Sequence, residues 1–245
     1  MNSVSLPARP EGVAVGFDGR ALVTTQGTGT NNALNTLLLY DRTQQSGQQV
    51  YSVPFPPAIT TPNPLPAVFA GRPATAFPGR LLPTPGGSFL IGMVAINQTT
   101  NAAQTTLFVY EVASGTVVKS RTVTGQSTIL SMAPDGSRFM AGSTLYDTAT
   151  LAVIGQMSTA NLPFFVGAGF NPGFNIQRNL GGSAFNREGE TIYSSFNTAA
   201  TTARPVANVL YVTNATNLGV RLGLKLRESI LGRWWRAAAA TTFGR

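Results

Sequence analysis

The stretch APDGSRFMAGSTLYDTATLAVIG, residues 133–155, decides the fold that we predict for the whole chain. Two polar turns interrupt it, one at 134–136 that includes a glycine and one at 148–150. Glycine suits the first turn because it adopts a positive φ without a steric penalty. The short apolar or aromatic segments around these turns are 139–141, 145–147 and 151–154. Because these segments are short and separated by turns, we predict that they form three strands of an antiparallel meander.

The same order of strands and turns occurs about four times, in residues 12–53, 81–124, 127–157 and 181–228. Successive turn glycines are 49 to 68 residues apart, namely Gly19, Gly87, Gly136 and Gly189. Repeats of about 40 to 50 residues that each hold four strands are typical of propeller blades. We therefore predict blades over residues 1–232, with long connections at 54–80 and 158–180 and an irregular basic tail at 233–245.

The composition favours a turn-rich β protein and removes two common kinds of site. Only 11% of the residues are charged, while the chain has 26 glycines and 16 prolines, which suits a helical bundle poorly. There is no cysteine, so disulfides and thiolate sites are excluded. There is also no histidine, the commonest general base and metal ligand. We assign no catalytic residue from the sequence and expect a binding protein rather than an enzyme.

The positive charge of the chain is concentrated near its end. The formal net charge is +8, and residues 221–245 supply +5 of it, which leaves +3 for the first 220 residues. Charge spread so thinly over the body does not predict a phosphate-binding face. Nucleic acid is therefore not an expected partner.

Residues 133–155 resemble a blade of the bacterial YVTN and surface-layer-type seven-bladed β-propellers, a WD40-like repeat family. The match lies in two motifs, Pro134-Asp135-Gly136 and Tyr146-Asp147-Thr148-Ala149-Thr150-Leu151. In addition, residues 211–214 read YVTN, the four letters that give the family its name. The resemblance implies an all-β fold, a β-propeller or incomplete propeller of four-stranded antiparallel blades. It also implies a bacterial origin and an exported parent protein.

A seven-bladed ring needs roughly 300 residues or more at this repeat length. We therefore expect this chain to be a partial copy with about four blades, truncated or altered in frame. Residues 1–15 have neither the basic nor the apolar region of a signal peptide, and no apolar run predicts a transmembrane anchor. The sequence does not assign a cellular compartment.

The connection at 158–180 contains the candidate binding residues. Long loops often carry function, and this one combines four phenylalanines with polar side chains. The structural alternative is a small hydrophobic cluster that fixes the loop to the neighbouring blade. The candidates are Phe164, Phe165, Phe170, Asn171, Phe174, Asn175 and Arg178.

The acidic residues fall into two structural groups. One group lies in or beside the glycine turns, where short acidic side chains bind nearby backbone amides; its members are Asp18, Asp135 and Glu188. The other follows an aromatic residue at the end of a strand, which indicates a role in a hairpin; its members are Asp41, Glu111 and Asp147. We assign no metal ligands among them.

The expected function is a non-catalytic binding or scaffold module that needs no cofactor, with a protein, a glycan or a small molecule as its partner. The alternative is a lactonase-like or other metal-assisted hydrolase that uses the central opening of the propeller. Lactonase-type propellers hold Ca²⁺ there, and Asn171, Asn175 and Asn179 would offer oxygen ligands for it.

Overall fold

The computed structural model describes residues 4–6, 9–26, 37–53, 80–97, 104–124, 130–158, 162–164, 182–196 and 208–228. They form sixteen strands in four sheets of four, and neighbouring strands in each sheet are antiparallel. Nearly all of the predicted connections at 54–80 and 158–180, and the tail at 233–245, lie outside these residues. No helix within the described ranges is long and apolar enough to cross a membrane.

Each sheet follows the chain without a crossover, as a meander does. Sheet I contains β1 (Arg9–Val15), β2 (Ala21–Gln26), β3 (Leu37–Tyr40) and β4 (Val50–Val53). Sheet II contains β5 (Arg80–Pro83), β6 (Phe89–Asn97), β7 (Gln104–Glu111) and β8 (Thr116–Thr124). Sheet III contains β9 (Leu130–Met132), β10 (Arg138–Ala141), β11 (Thr144–Asp147) and β12 (Val153–Gln156). Sheet IV contains β13 (Gly182–Phe185), β14 (Thr191–Phe196), β15 (Val209–Asn214) and β16 (Val220–Lys225).

The first strand of every sheet lies beside the first strand of the next. β1 contacts β5, β5 contacts β9, and β9 contacts β13. At the last of these contacts, the buried hydroxyls of Ser131 and Ser183 share a hydrogen bond of 2.7 Å. The four sheets therefore follow one another side by side, with their first strands innermost.

Three hydrophobic cores hold the four sheets together, one between each pair of neighbours. Sheets I and II enclose a core that includes Leu22, Leu39, Leu90, Phe108 and Tyr110. Sheets II and III enclose one with Ile91, Leu107, Phe139, Tyr146 and Leu151. Sheets III and IV enclose one with Met140, Leu145, Ile192, Val209 and Tyr211. Each inner sheet therefore buries apolar side chains on both faces, which a single sheet could not do in water.

The outer faces of sheets I and IV differ from the inner ones. Val13 is 58% exposed on sheet I, and Leu222 is 49% exposed on sheet IV. No core cluster among the described residues joins sheet IV back to sheet I. The described part of the chain is an open series of four sheets.

One predicted strand begins later than expected. We expected residues 151–154 to be extended, but β12 begins at Val153 and Leu151 has a φ of +58°. Its amide donates a hydrogen bond to the carbonyl oxygen of Asp147, and its side chain is fully buried between sheets II and III. Leu218 has the same conformation and the equivalent bond to Asn214 in sheet IV. Burial of the leucine offsets the strain of a left-handed backbone, which costs about 1–2 kcal/mol.

Tyr146 provides a test of the core between sheets II and III. Its ring stacks on that of Phe139 with 5.3 Å between the ring centroids, and its buried hydroxyl has no hydrogen-bond partner among the described residues. Burial raises the pKa of Tyr146 to about 12. An unfolded tyrosine ionises near pH 10, so the folded state carries no ionisation penalty below that pH and loses stability as the pH rises from about 10 through about 12.

We expect Tyr146→Phe to leave the free energy of unfolding at neutral pH unchanged or slightly raised, and to move the midpoint of alkaline unfolding upward. Tyr211→Phe is the matched control, because the Tyr211 hydroxyl bonds to the backbone of Phe164. This control should lose about 1 kcal/mol at neutral pH. Urea titrations at pH 7 and pH 11 measure both effects. A loss of stability in Tyr146→Phe equal to that in Tyr211→Phe would contradict this description of the core.

A candidate binding cleft between sheets II and III

The four sheets share one turn between their first and second strands, and its hydrogen bonds identify equivalent residues. In each turn, one backbone carbonyl accepts a 2.9 Å hydrogen bond from the amide that opens the turn. We call the residue with this carbonyl the turn-exit residue. The four turn-exit residues, from sheet I to sheet IV, are Arg20, Phe89, Arg138 and Thr191.

Arginine at the turn exit joins one sheet to the next. Arg20 of sheet I donates through Nη2 to the carbonyl oxygen of Val112 in sheet II, at 2.9 Å. Arg138 of sheet III donates through Nη1 to the carbonyl oxygen of Ala215 in sheet IV, at 3.1 Å, and through Nη2 to that of Gly189, at 3.0 Å. The junctions between sheets I and II and between sheets III and IV are thus each closed by a guanidinium.

Val112 and Ala215 occupy the same place in their sheets. The amide of Val112 bonds to the carbonyl oxygen of Ser88, and that of Ala215 bonds to the carbonyl oxygen of Glu190. The residue with the equivalent bond in sheet III is Thr148, whose amide bonds to the carbonyl oxygen of Ser137. A guanidinium at the turn exit of sheet II would therefore meet the carbonyl of Thr148.

Sheet II has phenylalanine at this position instead. Phe89 is 36% exposed and has no donor to offer to sheet III. A cleft of about 730 Å³ lies beside it, between sheets II and III. Its lining residues from sheet II are Thr84, Pro85, Ser88, Phe89, Val109, Val118 and Lys119, and those from sheet III are Asp135, Gly136, Ser137, Asp147, Thr148 and Ala149.

Basic side chains of β8, the outer strand of sheet II, form hydrogen bonds to sheet III at the outer end of this junction. Lys119 donates to the carbonyl oxygen of Ala149, and Arg121 donates through Nη1 to that of Leu151 at 2.8 Å. Both acceptors follow Thr148 in the turn between β11 and β12. The carbonyl oxygens of Thr148 and Gly136 have no hydrogen-bond donor among the described residues. Both residues line the cleft, so the cleft lies beside these two acceptors.

Two carboxylates give the cleft its charge. Asp135 accepts hydrogen bonds from the hydroxyl and the amide of Ser137, which lower its pKa. Asp147 accepts the same pair of bonds from Thr150, which lower its pKa likewise. Both are therefore ionised at neutral pH, and among the described residues Lys119 is the one cation that lines the cleft. The cleft is thus locally acidic in a chain whose formal net charge is +8.

The hydrogen bonds confirm the structural interpretation of most acidic residues. Asp18 accepts from the amide of Arg20, and Asp41 accepts from the amide and hydroxyl of Thr43. Asp135 and Asp147 bond within their own turns in the same way, while Glu188 accepts from the side chain of Asn186. These carboxylates stabilise turns, and no group of three His, Cys, Asp or Glu in the described part of the chain could hold a metal ion.

The structure describes one of the seven residues proposed from the sequence as a binding site. Phe164 is half-buried against the core of sheets III and IV, where its backbone bonds to the hydroxyl of Tyr211. The remaining candidates lie outside the described residues, so an aromatic pocket on this connection stays a prediction. They are Phe165, Phe170, Asn171, Phe174, Asn175 and Arg178.

Comparison with known proteins identifies the fold. No family model matches the chain, and no curated protein matches it. Among solved structures, the β-propeller domain of Cps50 (Swd1) from Myceliophteria thermophila is 10% identical with a TM-score of 0.54, and the match covers 94% of this chain and 59% of that one. The Dos1 propeller is 14% identical with a TM-score of 0.50, covering 88% and 48%. Hydrazine synthase from Kuenenia stuttgartiensis is 15% identical with a TM-score of 0.50, covering 84% and 53%.

The described sheets are blades of a β-propeller. Four-stranded antiparallel meanders that pack face to face, with their first strands innermost, are the repeating unit of that fold. The chain spans about half of the length of these solved structures. Because the sequence identity is so low, these structures show the fold alone.

Proposed function

We propose that the chain is a non-catalytic binding module, and that the cleft between sheets II and III takes an extended segment of a partner protein. The observation that supports this is the change of the turn-exit residue from arginine to Phe89, which leaves this junction open at its turn end, where both neighbouring junctions are closed. Apolar walls with a few polar groups are typical of sites that bind side chains.

The walls of the cleft suit a protein segment better than a glycan. Phe89 and Val118, which is 46% exposed, offer apolar surface that a side chain can cover. The carbonyl oxygens of Thr148 and Gly136, which have no donor among the described residues, line the sheet III side and can accept from a backbone amide or a polar side chain. The hydroxyl of Ser137 donates to Asp135 and can only accept a further bond. A segment that runs along the junction would contact both sheets.

The proposal also covers the origin of the protein, the class of its partner and the lactonase-like alternative. The YVTN-like motifs at 133–155 support a bacterial, exported parent protein, and we do not propose a nucleic-acid partner because the basic residues are concentrated at 221–245. The lactonase-like alternative would need oxygen ligands around the axis. The inner strands β5, β9 and β13 read RLLP, LSM and GSAF and contain no carboxylate or amide side chain, while β1 (RPEGVAV) contributes Glu11 alone.

Peptides selected from a random display library on the wild-type protein test the proposal. Val118→Trp should fill the cleft and weaken binding of the selected peptides at least about tenfold, since an indole would occupy the space that a ligand side chain needs. Val153→Trp is the matched control, because Val153 is 48% exposed on the outer strand of sheet III and does not line the cleft. It should bind the peptides as the wild type does. Equal binding by Val118→Trp and wild type would refute the cleft as the site.

A further inference from the structure

The molecule itself shows which side chain fits this kind of junction. At the junction between sheets I and II, Arg20 donates to one backbone carbonyl of the next sheet, and the amide of Phe17 donates to the other, that of Gly87. At the junction between sheets III and IV, Arg138 donates to both equivalent carbonyls. The junction between sheets II and III presents the equivalent carbonyls of Thr148 and Gly136, and the turn-exit residue Phe89 cannot bond to them. A guanidinium from outside the chain would restore the pattern that is complete at both neighbouring junctions.

We propose that the cleft between sheets II and III recognises an arginine side chain of the partner segment. This inference rests on the proposed function and specifies the chemistry that the cleft selects. The planar fork of a guanidinium can donate to the carbonyl oxygens of Thr148 and Gly136 together, as Arg138 does to those of Ala215 and Gly189.

Charge and shape favour arginine over other side chains. The cleft is lined by two carboxylates, Asp135 and Asp147, and by one described cation, Lys119, so its net charge is negative. This charge favours binding of a cationic side chain and disfavours an anionic one. Phe89 is 36% exposed and lines the cleft, so a guanidinium bound there can stack on its aromatic ring. Lysine would supply the charge but neither the planar fork nor the stacking surface.

The probe that tests this inference is the acetylated and amidated tripeptide Gly-Arg-Gly, titrated into the labelled protein by NMR. We expect saturable shifts of the backbone amides of Ser137 and Ala149, which directly follow the two carbonyls. The same tripeptide with citrulline, which has the shape of arginine without its charge, should bind at least about tenfold more weakly. The lysine tripeptide should bind about fivefold more weakly.

Variants of the protein provide the second arm of the test. Asp147→Asn keeps the turn but removes the charge, and should weaken binding of the arginine tripeptide about fivefold. Asp41→Asn is its matched control, because Asp41 has the same turn role in sheet I and does not line the cleft; it should not change binding. Phe89→Arg should abolish binding, because the new side chain occupies the site.

Equal binding of the arginine and citrulline tripeptides, or undiminished binding by Phe89→Arg, would overturn the inference. If the peptides from the display library still depend on Val118 but contain no required arginine, only this inference fails and the binding module stands. If neither the tripeptide nor the library peptides respond to changes in the cleft, both fail.

Discussion

Gly92→Ala is expected to lower the free energy of unfolding by about 3 kcal/mol, the largest loss from a single methyl group in the described core. Gly92 on β6 pairs directly with Phe108 on β7. A Cβ atom at position 92 would lie 1.9 Å from Cζ of Phe108, so the ring would have to move. Phe108 is fully buried in the core of sheets I and II and has no open space to move into.

Equilibrium urea unfolding measures this loss, and a double mutant identifies its cause. In Gly92→Ala combined with Phe108→Leu, the smaller side chain makes room for the new methyl group. The combined loss should therefore be well below the sum of the two single losses. Strictly additive losses would show that the ring of Phe108 does not cover Gly92 and would contradict the packing described here.

Arg138→Met is expected to cost about 2 kcal/mol of unfolding free energy. Methionine preserves most of the apolar stem of arginine but removes the guanidinium that bonds to Ala215 and Gly189. Hydrogen bonds to charged groups contribute about 1.5–3 kcal/mol, and the carbonyl of the buried Ala215 would lose its donor.

Arg187→Met is the matched control for this substitution. Arg187 lies in the corresponding turn of sheet IV, close to the same junction, and is exposed. Its replacement removes the same charge and should change the unfolding free energy by less than about 0.5 kcal/mol. If both variants lost the same amount, the effect would belong to the net charge of the chain and not to the bond between sheets III and IV.

The sequence predicts the strands and turns of this protein well because those features are local. Gly87, Gly136 and Gly189 all have a positive φ at the expected turns. The adjoining segments pair as meanders at the expected places. In each case, the conformational preference of a few adjacent residues determines the structure, so the repeat pattern was sufficient.

Leu151 was predicted wrongly because its conformation depends on a neighbouring sheet. Its local preference is for an extended backbone, yet it has a φ of +58° and fills the core between sheets II and III. The sequence indicates that a positive φ is unfavourable for leucine. It does not indicate the burial between two sheets that compensates for this backbone strain.

The cleft was missed for a similar reason. The significance of Phe89 appears only when the turn hydrogen bonds align it with Arg20 and Arg138, since the turn of sheet I is one residue shorter than that of sheet III. A comparison of the residues that follow Gly19, Gly87 and Gly136 could have signalled the substitution. It could not have shown that a guanidinium at this position reaches the next sheet.

The unfolding free energies of Phe89→Arg and Phe89→Met test most directly whether a turn-exit arginine closes each junction between sheets. The two side chains are similar in length, and arginine alone can donate to the carbonyl oxygens of Thr148 and Gly136. We predict that Phe89→Arg is the more stable variant by about 1 kcal/mol, because it forms the bonds that Arg138 forms at the next junction. Equal stability of the two variants, or greater stability of Phe89→Met, would contradict this description of the junctions.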